Sequence, residues 1–239
     1  MKTTSQGKYL YQLERLGFVN CYFVREDDGF TLVDTGLSGS AQAILNAARA
    51  LGAPIVRIAL THAHVDHVGS LDALHTQLPD AEVLISARDA RFLSGDHSLD
   101  PQEPQVKLRG GYPICATRPT RTLAPGDYVG SLEVIAAPGH TPGHVAFLDR
   151  REGTLIAGDA FQTRGGIAVS GVVRPLFPFP AMATWHKETA LRSAEALRGL
   201  EPARLAVGHG PVLNAPLAAM DRAIAVARRR FLEPGAHAA

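Results

Sequence analysis

The sequence predicts an α/β fold in which β-sheets pack on each other and helices lie outside. Three observations carry that expectation. Two pairs of short strand-like runs are joined by turn sequences ending in glycine, the mark of antiparallel hairpins. Between them lie segments whose apolar residues recur at helical spacing. Such interleaving does not fit a purely doubly wound parallel sheet, in which strands and helices alternate.

The first hairpin pairs Phe18–Val24 with Phe30–Val33 across Arg25-Glu26-Asp27-Asp28-Gly29. A helix is expected over Ser40–Leu51, with Ala41, Ile44, Leu45 and Ala48 on one face and Gly52 and Pro54 ending it. Ile55–Leu60 has the composition of a buried strand. The helix after it carries Val68, Leu71, Leu74 and Leu78 and stops at Pro79. Val83–Ile85 is a strand and Ala87–Leu93 a short helix, followed by an irregular stretch to about Thr120. Strands then fall at Ser131–Ala136, Val145–Asp149 and Thr154–Ile156, the last two joined by the hairpin turn Arg150-Arg151-Glu152-Gly153. Ala183–Leu200 is expected to be helical and Leu205–Val207 a strand. The final helix shows Leu217, Met220, Ile224, Ala227 and Phe231 at steps of three and four. One domain over residues 1–239 is the simplest organisation.

Composition excludes several classes of function. Lys and Arg number 24 against 23 Asp and Glu, so no broad cationic footprint for nucleic acid or an anionic membrane is expected. No run approaches the ~18 apolar residues of a membrane span. Cys21 and Cys115 are the only cysteines and form no CxxC pair, which argues against a disulfide framework. The first ten residues lack an apolar signal region, and a soluble, cytoplasmic protein is expected.

The chemistry concentrates in a few places. His62-Ala63-His64-Val65-Asp66-His67 follows the strand Ile55–Leu60 and offers four potential metal ligands in six residues. His140 lies in Pro138-Gly139-His140-Thr141-Pro142-Gly143-His144, Asp159 just past Thr154–Ile156, and His209 in Gly208-His209-Gly210. Each falls where a strand hands over to a loop, beside a glycine that permits close backbone approach.

This pattern, His62-x-His64-x-Asp66-His67 followed by His140, Asp159 and His209, resembles the metallo-β-lactamase-fold hydrolase superfamily, on its glyoxalase-II and lactonase-like side. His64 at a position where the flavodiiron branch carries Glu resembles the hydrolases more. The resemblance implies an αββα sandwich with the site at one edge of the sheets. It implies that His62, His64 and His140 hold a first metal, that Asp66, His67 and His209 hold a second, and that Asp159 bridges both. Two Zn²⁺ per chain are implied, with iron or manganese as alternatives. The ions would share a hydroxide nucleophile, which Asp66 orients or relieves of its proton.

The same comparison points to a small ester-like substrate, a thioester, lactone or related bond. About 30 residues follow the Gly-His-Gly loop, too few for the C-terminal helical region of glyoxalase-II enzymes. Ala160, Phe161 and Gln162 stand where lactonases usually place a Tyr after the bridging Asp. A different chemistry shares the motif: persulfide dioxygenases hold one Fe²⁺, here through His62, His140 and Asp159. A binding module that retained the fold is a third reading. Oligomeric state has no signature in the sequence.

Other residues carry weaker expectations. Asp34-Thr35-Gly36 looks like half of an aspartic-protease pair, but no second copy exists. Asp34 is therefore expected to bond loop backbone and prop a ligand His. His144 is expected to support the ligands or to be structural, not to be an eighth ligand, and His75, His97, His186 and His237 have no ligand spacing. The segment from Phe161 to His186 either walls the pocket or covers the core. Arg91, Lys107, Arg109, Arg118 and Arg121 either meet an anionic substrate or are solvated, and Arg228-Arg229-Arg230 complement the last helix dipole.

Overall fold

The computed structural model describes residues 1–233; His237 lies outside the described residues. An antiparallel meander opens the chain: β1 (Lys2–Ser5), β2 (Leu10–Arg15), β3 (Val19–Glu26) and β4 (Gly29–Val33). Helix α1 (Ala41–Ala50) then carries the chain to β5 (Ile55–Ala59), which joins β4 in parallel. After α2 (Val65–Val68) and α3 (Leu71–Gln77) comes β6 (Glu82–Ser86), and after α4 (Ala87–Leu93) and a long loop comes β7 (Arg121–Leu123). The seven strands lie side by side in sequence order.

The second sheet contains β8 (Tyr128–Val129), β9 (Leu132–Ala136), β10 (Val145–Asp149) and β11 (Thr154–Ile156). A small ribbon of β12 (Phe161–Gln162) and β13 (Ala168–Val169) precedes α5 (Phe179–Met182) and α6 (Lys187–Gly199). Then β14 (Arg204–Ala206) pairs in parallel with β11, β15 (Leu213–Asn214) edges the sheet, and α7 (Leu217–Leu232) closes the described chain.

Strand alternation explains the layering. In β3, Cys21 and Phe23 face the helices α1, α3 and α4, while Tyr22 and Val24 face the other sheet. In β10, Ala146 and Leu148 meet α6 and α7, while Val145 and Phe147 meet the first sheet. Both faces of these strands are buried, so their sequences are continuously apolar rather than alternating. The result is the expected αββα sandwich.

Two helices differ from expectation. The helix after β5 is broken at Gly69-Ser70, because Thr35 takes the His67 carbonyl that a continuous helix would use, at 2.7 Å from its N–H and 2.9 Å from its hydroxyl. A Cβ on Gly69 would lie 2.5 Å from the Val65 carbonyl and 2.6 Å from the Ser38 nitrogen, so only glycine allows that crossing. The expected helix at Ala183 does not start until Lys187. Trp185 and His186 instead donate their backbone N–H groups to the carbonyls of His140 and Gly139, and the His186 ring caps α6 by accepting from the Thr189 N–H.

Candidate metal centre

Five imidazoles and two carboxylates converge at one end of the sandwich. His62 and His64 leave β5, Asp66 and His67 sit on the single turn of α2, and His140, Asp159 and His209 follow β9, β11 and β14. His62 Nε2 lies 3.2 Å from His64 Nδ1, which lies 3.0 Å from His140 Nε2. Asp159 reaches both halves of the cluster: its Oδ2 is 3.3 Å from His140 Nε2 and 3.2 Å from His209 Nε2, and its Oδ1 is 3.4 Å from His67 Nε2. Asp66 Oδ2 lies 3.2 Å from His209 Nε2. All seven residues of the sequence pattern are therefore brought together.

The hydrogen bonds behind the rings fix their tautomers. His64 Nε2 donates to the Arg109 carbonyl at 3.0 Å and His209 Nδ1 to the Phe18 carbonyl at 2.8 Å. His67 Nδ1 donates to Asp34 Oδ2 at 2.8 Å. Thr184 donates its hydroxyl to the Pro180 carbonyl and Ser170 donates to Thr184, so His140 Nδ1 is the donor to Ser170 Oγ at 2.8 Å. By the same logic Thr61 donates to Asp34, and His62 Nδ1 donates to Thr61 Oγ1. Every one of the five imidazoles thus turns its other nitrogen toward the centre.

The donor set fits divalent metal. Nitrogens held ~2.0–2.1 Å from a tetrahedral zinc lie about 3.3 Å apart, close to the separations seen here. His67 Nε2 and Asp159 Oδ1 are buried 3.4 Å apart and make no hydrogen bond of good geometry among the described residues, which leaves both for an occupant to meet. Charge tells the same story. Burial opposes a proton on His67 and His209, but the carboxylates outweigh it, holding His67 well above the usual imidazole range and His209 at about 10. Burial lifts Asp66 and Asp159 less than their imidazole neighbours depress them, and both stay below the usual carboxylate range. That half of the cluster calls for a cation. In the other half burial holds His64 at about 4, despite Asp66 and Asp159, and keeps His62 and His140 neutral.

Supporting residues divide into those legible in sequence and those not. Asp34 is buried at a positive φ of 61° and accepts from the Thr61 N–H and hydroxyl and from His67, as a prop for that ring. Asp34→Asn is expected to weaken metal binding ~10–100-fold, read by competition with a chromophoric chelator; unchanged affinity would remove the prop. His144 accepts from the Asp159 N–H at 3.0 Å and is structural as expected. A Cβ on Gly208 would lie 2.2 Å from Asp159 Oδ1, so this glycine is required by close approach.

Asp89, on α4, was not singled out by the sequence. It accepts from the N–H of Ala63, between His62 and His64, and from the Thr141 hydroxyl and Gly143 N–H, on the loop of His140. Asn20 and Tyr22 were also missed: Asn20 donates to the carbonyls of Val207 and Gly210, and Tyr22 to that of Val207, holding the His209 loop. Helix α2 is a single turn, and its Val65 N–H donates to the Gly111 carbonyl.

A cavity of about 410 Å³ opens over the cluster, with Asp66, Asp159 and His209 in its floor and Val65, Phe179 and Met182 in its walls. The segment from Phe161 to His186 therefore does both things expected of it. Phe177 is buried beside His209, while Phe179 and Met182 stand exposed at the rim. Of the cations in the middle stretch, Arg91 pairs with Asp96 and Asp100, Arg118 donates to the Cys115 carbonyl and Arg121 pairs with Asp127. Among the described residues no helix is long and apolar enough to cross a membrane.

Comparison with known proteins agrees with this architecture. The chain is 53% identical over 212 residues to the uncharacterized protein YobT of Bacillus subtilis, covering 88% of this chain and 91% of that one. It is 31% identical to the probable metallo-hydrolase YflN of the same organism, over 80% of each chain. The crystal structure of TTHA1623 in a di-iron-bound form superposes with a TM-score of 0.63 at 27% identity, covering 89% of this chain and 97% of that one. A family model described as the metallo-beta-lactamase superfamily matches residues 15–209, from β2 to the last imidazole of the cluster. The chain belongs to the metallo-beta-lactamase superfamily and is a metallo-hydrolase of it.

Proposed function

We propose that the protein is a two-metal hydrolase of small ester-like substrates, thioesters or lactones, working through zinc. One observation carries this reading: two donor sets share Asp159, with His62, His64 and His140 on one side and Asp66, His67 and His209 on the other. Paired divalent ions, when bound, supply a hydroxide nucleophile near neutral pH and Lewis acidity toward a carbonyl oxygen. The chain's own residues do the rest. The five rings held by Thr61, Arg109, Asp34, Ser170 and Phe18 direct a second nitrogen inward, and on His67 and His209 a bound cation would replace the proton that the carboxylates hold there.

Asp66 is the one carboxylate of the cluster that is only half-buried, and it lines the cavity. His67 and His209 hold it ionised, so it can accept a hydrogen bond from the attacking water and orient it. Val65, Phe179 and Met182 give the acyl side of the substrate an apolar wall.

The test is hydrolysis of a panel of thioesters and lactones by zinc-loaded protein. Asp66→Ala is expected to lower kcat by ~10²–10⁴-fold with unchanged circular dichroism. Activity within twofold of wild type would take the orienting role from Asp66. No turnover of any ester-like substrate would overturn the functional reading.

A further inference from the structure

Beside the candidate metal centre a second cavity of about 350 Å³ is lined by Lys107, Arg109, Trp185, Lys187 and Arg230. A third, of about 510 Å³, connects the two, sharing Lys107 and Arg109 with it and Gly110 and Met182 with the cavity over the cluster. The three form one groove leading away from the metal ligands.

The groove gathers Lys107, Arg109, Lys187 and Arg230 on one lining. Elsewhere Arg57, Arg88, Arg91, Arg151 and Arg228 are among the arginines that form salt bridges. Among the described residues, Lys107, Arg109, Lys187 and Arg230 form none. Arg230 reaches only the Val173 carbonyl at 3.4 Å, and Lys187 sits 5.8 Å from the centroid of the Phe231 ring. Glu188 is the single acidic residue in the lining. These cations arrive from a loop, the start of α6 and the end of α7, and a bound anion would relieve their mutual repulsion.

The groove is also tied to the centre. The carbonyl of Arg109 holds the His64 ring, and Thr184, next to Trp185, lies 3.3 Å from His140 Nδ1. Trp185 is buried and its indole N–H donates to the Val106 carbonyl at 3.2 Å, which makes it a firm wall. An anion held by Lys107 and Arg230 would therefore sit at a set position relative to the metal ligands.

We propose that this groove binds an anionic arm, carrying phosphate or carboxylate groups, of the substrate whose ester-like bond lies over the metal centre. The inference deepens the hydrolase reading and rests on it for the identity of the reacting bond, but binding can be measured without turnover. The probes are desulfo-coenzyme A, which offers phosphates, and S-methylglutathione, which offers carboxylates; neither has a free thiol to attack metal. Equilibrium dialysis with the metal-loaded protein is expected to show saturable binding of at least one. The Lys107→Ala/Arg230→Ala double variant is expected to weaken that binding about tenfold, as is high salt.

Binding of the first probe alone identifies a phosphate arm, and of the second alone a carboxylate arm; either supports the groove. Binding of neither, or binding that the double variant leaves unchanged, overturns it. With substrates, the kcat/KM of an anionic thioester relative to that of a neutral S-acyl-N-acetylcysteamine thioester is expected to fall about tenfold in the double variant. Saturable, variant-sensitive binding without hydrolysis of any ester-like substrate would leave the groove standing and remove the hydrolase reading.

Discussion

Asp159→Asn is expected to lower hydrolysis by about 10²–10³-fold or more and to cost the protein at least one of its two metal ions, with the fold intact. The reason is geometric. Asp159 alone spans the two donor sets, 3.3 Å from His140 and 3.2 Å from His209. An amide keeps the shape but removes the charge that holds His209 at about 10 and that joins Asp34 in raising His67. Because the amide fills the volume of the buried carboxylate, circular dichroism is expected to be unchanged. Full metal content in the variant, measured after gel filtration, would show that the carboxylate does not bridge.

The second large effect belongs to Asp89. Its carboxylate joins the His62–His64 loop to the His140 loop through three buried hydrogen bonds of 3.1, 2.7 and 2.7 Å. Asp89→Ala leaves those donors without an acceptor, at ~1–3 kcal/mol each, and is expected to be severely destabilised. Asp89→Asn keeps the volume but presents an NH₂ where an acceptor is needed. It is expected to weaken metal binding by the His62, His64 and His140 set about tenfold and to spare the set around His209. Two-step chelator competition separates the halves; equal weakening of both would make Asp89 a general structural residue instead of a positioning one.

Asp89 also predicts a pH dependence. Burial pushes its carboxyl up to about 6, against the hydrogen bonds from Thr141, Gly143 and Ala63. The folded state therefore holds this proton more tightly than the unfolded chain, where the value is 3.8. Its stabilising contribution is complete below about pH 4 and is lost as pH rises through about 6. Asparagine cannot titrate, so the urea-midpoint advantage of wild type over Asp89→Asn is expected to shrink from pH 4 to pH 7. An advantage that grows over that interval would contradict the assignment.

How much of this was legible in sequence follows from how local each signal is. The hairpin of β3 and β4 and the bounds of α4 are encoded within a few residues, and so is the cluster His62 to His67. His140, Asp159 and His209 stood out because strand ends and glycines mark them. The break at Gly69 was hidden, since helical spacing continues through it and the competitor, Thr35, lies on a separate loop. Asp89 and Asn20 were hidden for the same reason at longer range: their partners are 52 and 190 residues away. The cationic groove draws on Lys107, Lys187 and Arg230, which no sequence window contains together. Strands of two to four residues such as β1, β8 and β15 carry too few side chains to show a period.

The central claim is a pair of metal ions sharing Asp159, and elemental analysis of protein purified without chelator or added metal tests it most directly. The account predicts about two zinc ions per chain, falling to about one in His209→Ala. About one iron per chain, with little zinc and no change in His209→Ala, would contradict it and point instead to a single ion held by His62, His140 and Asp159.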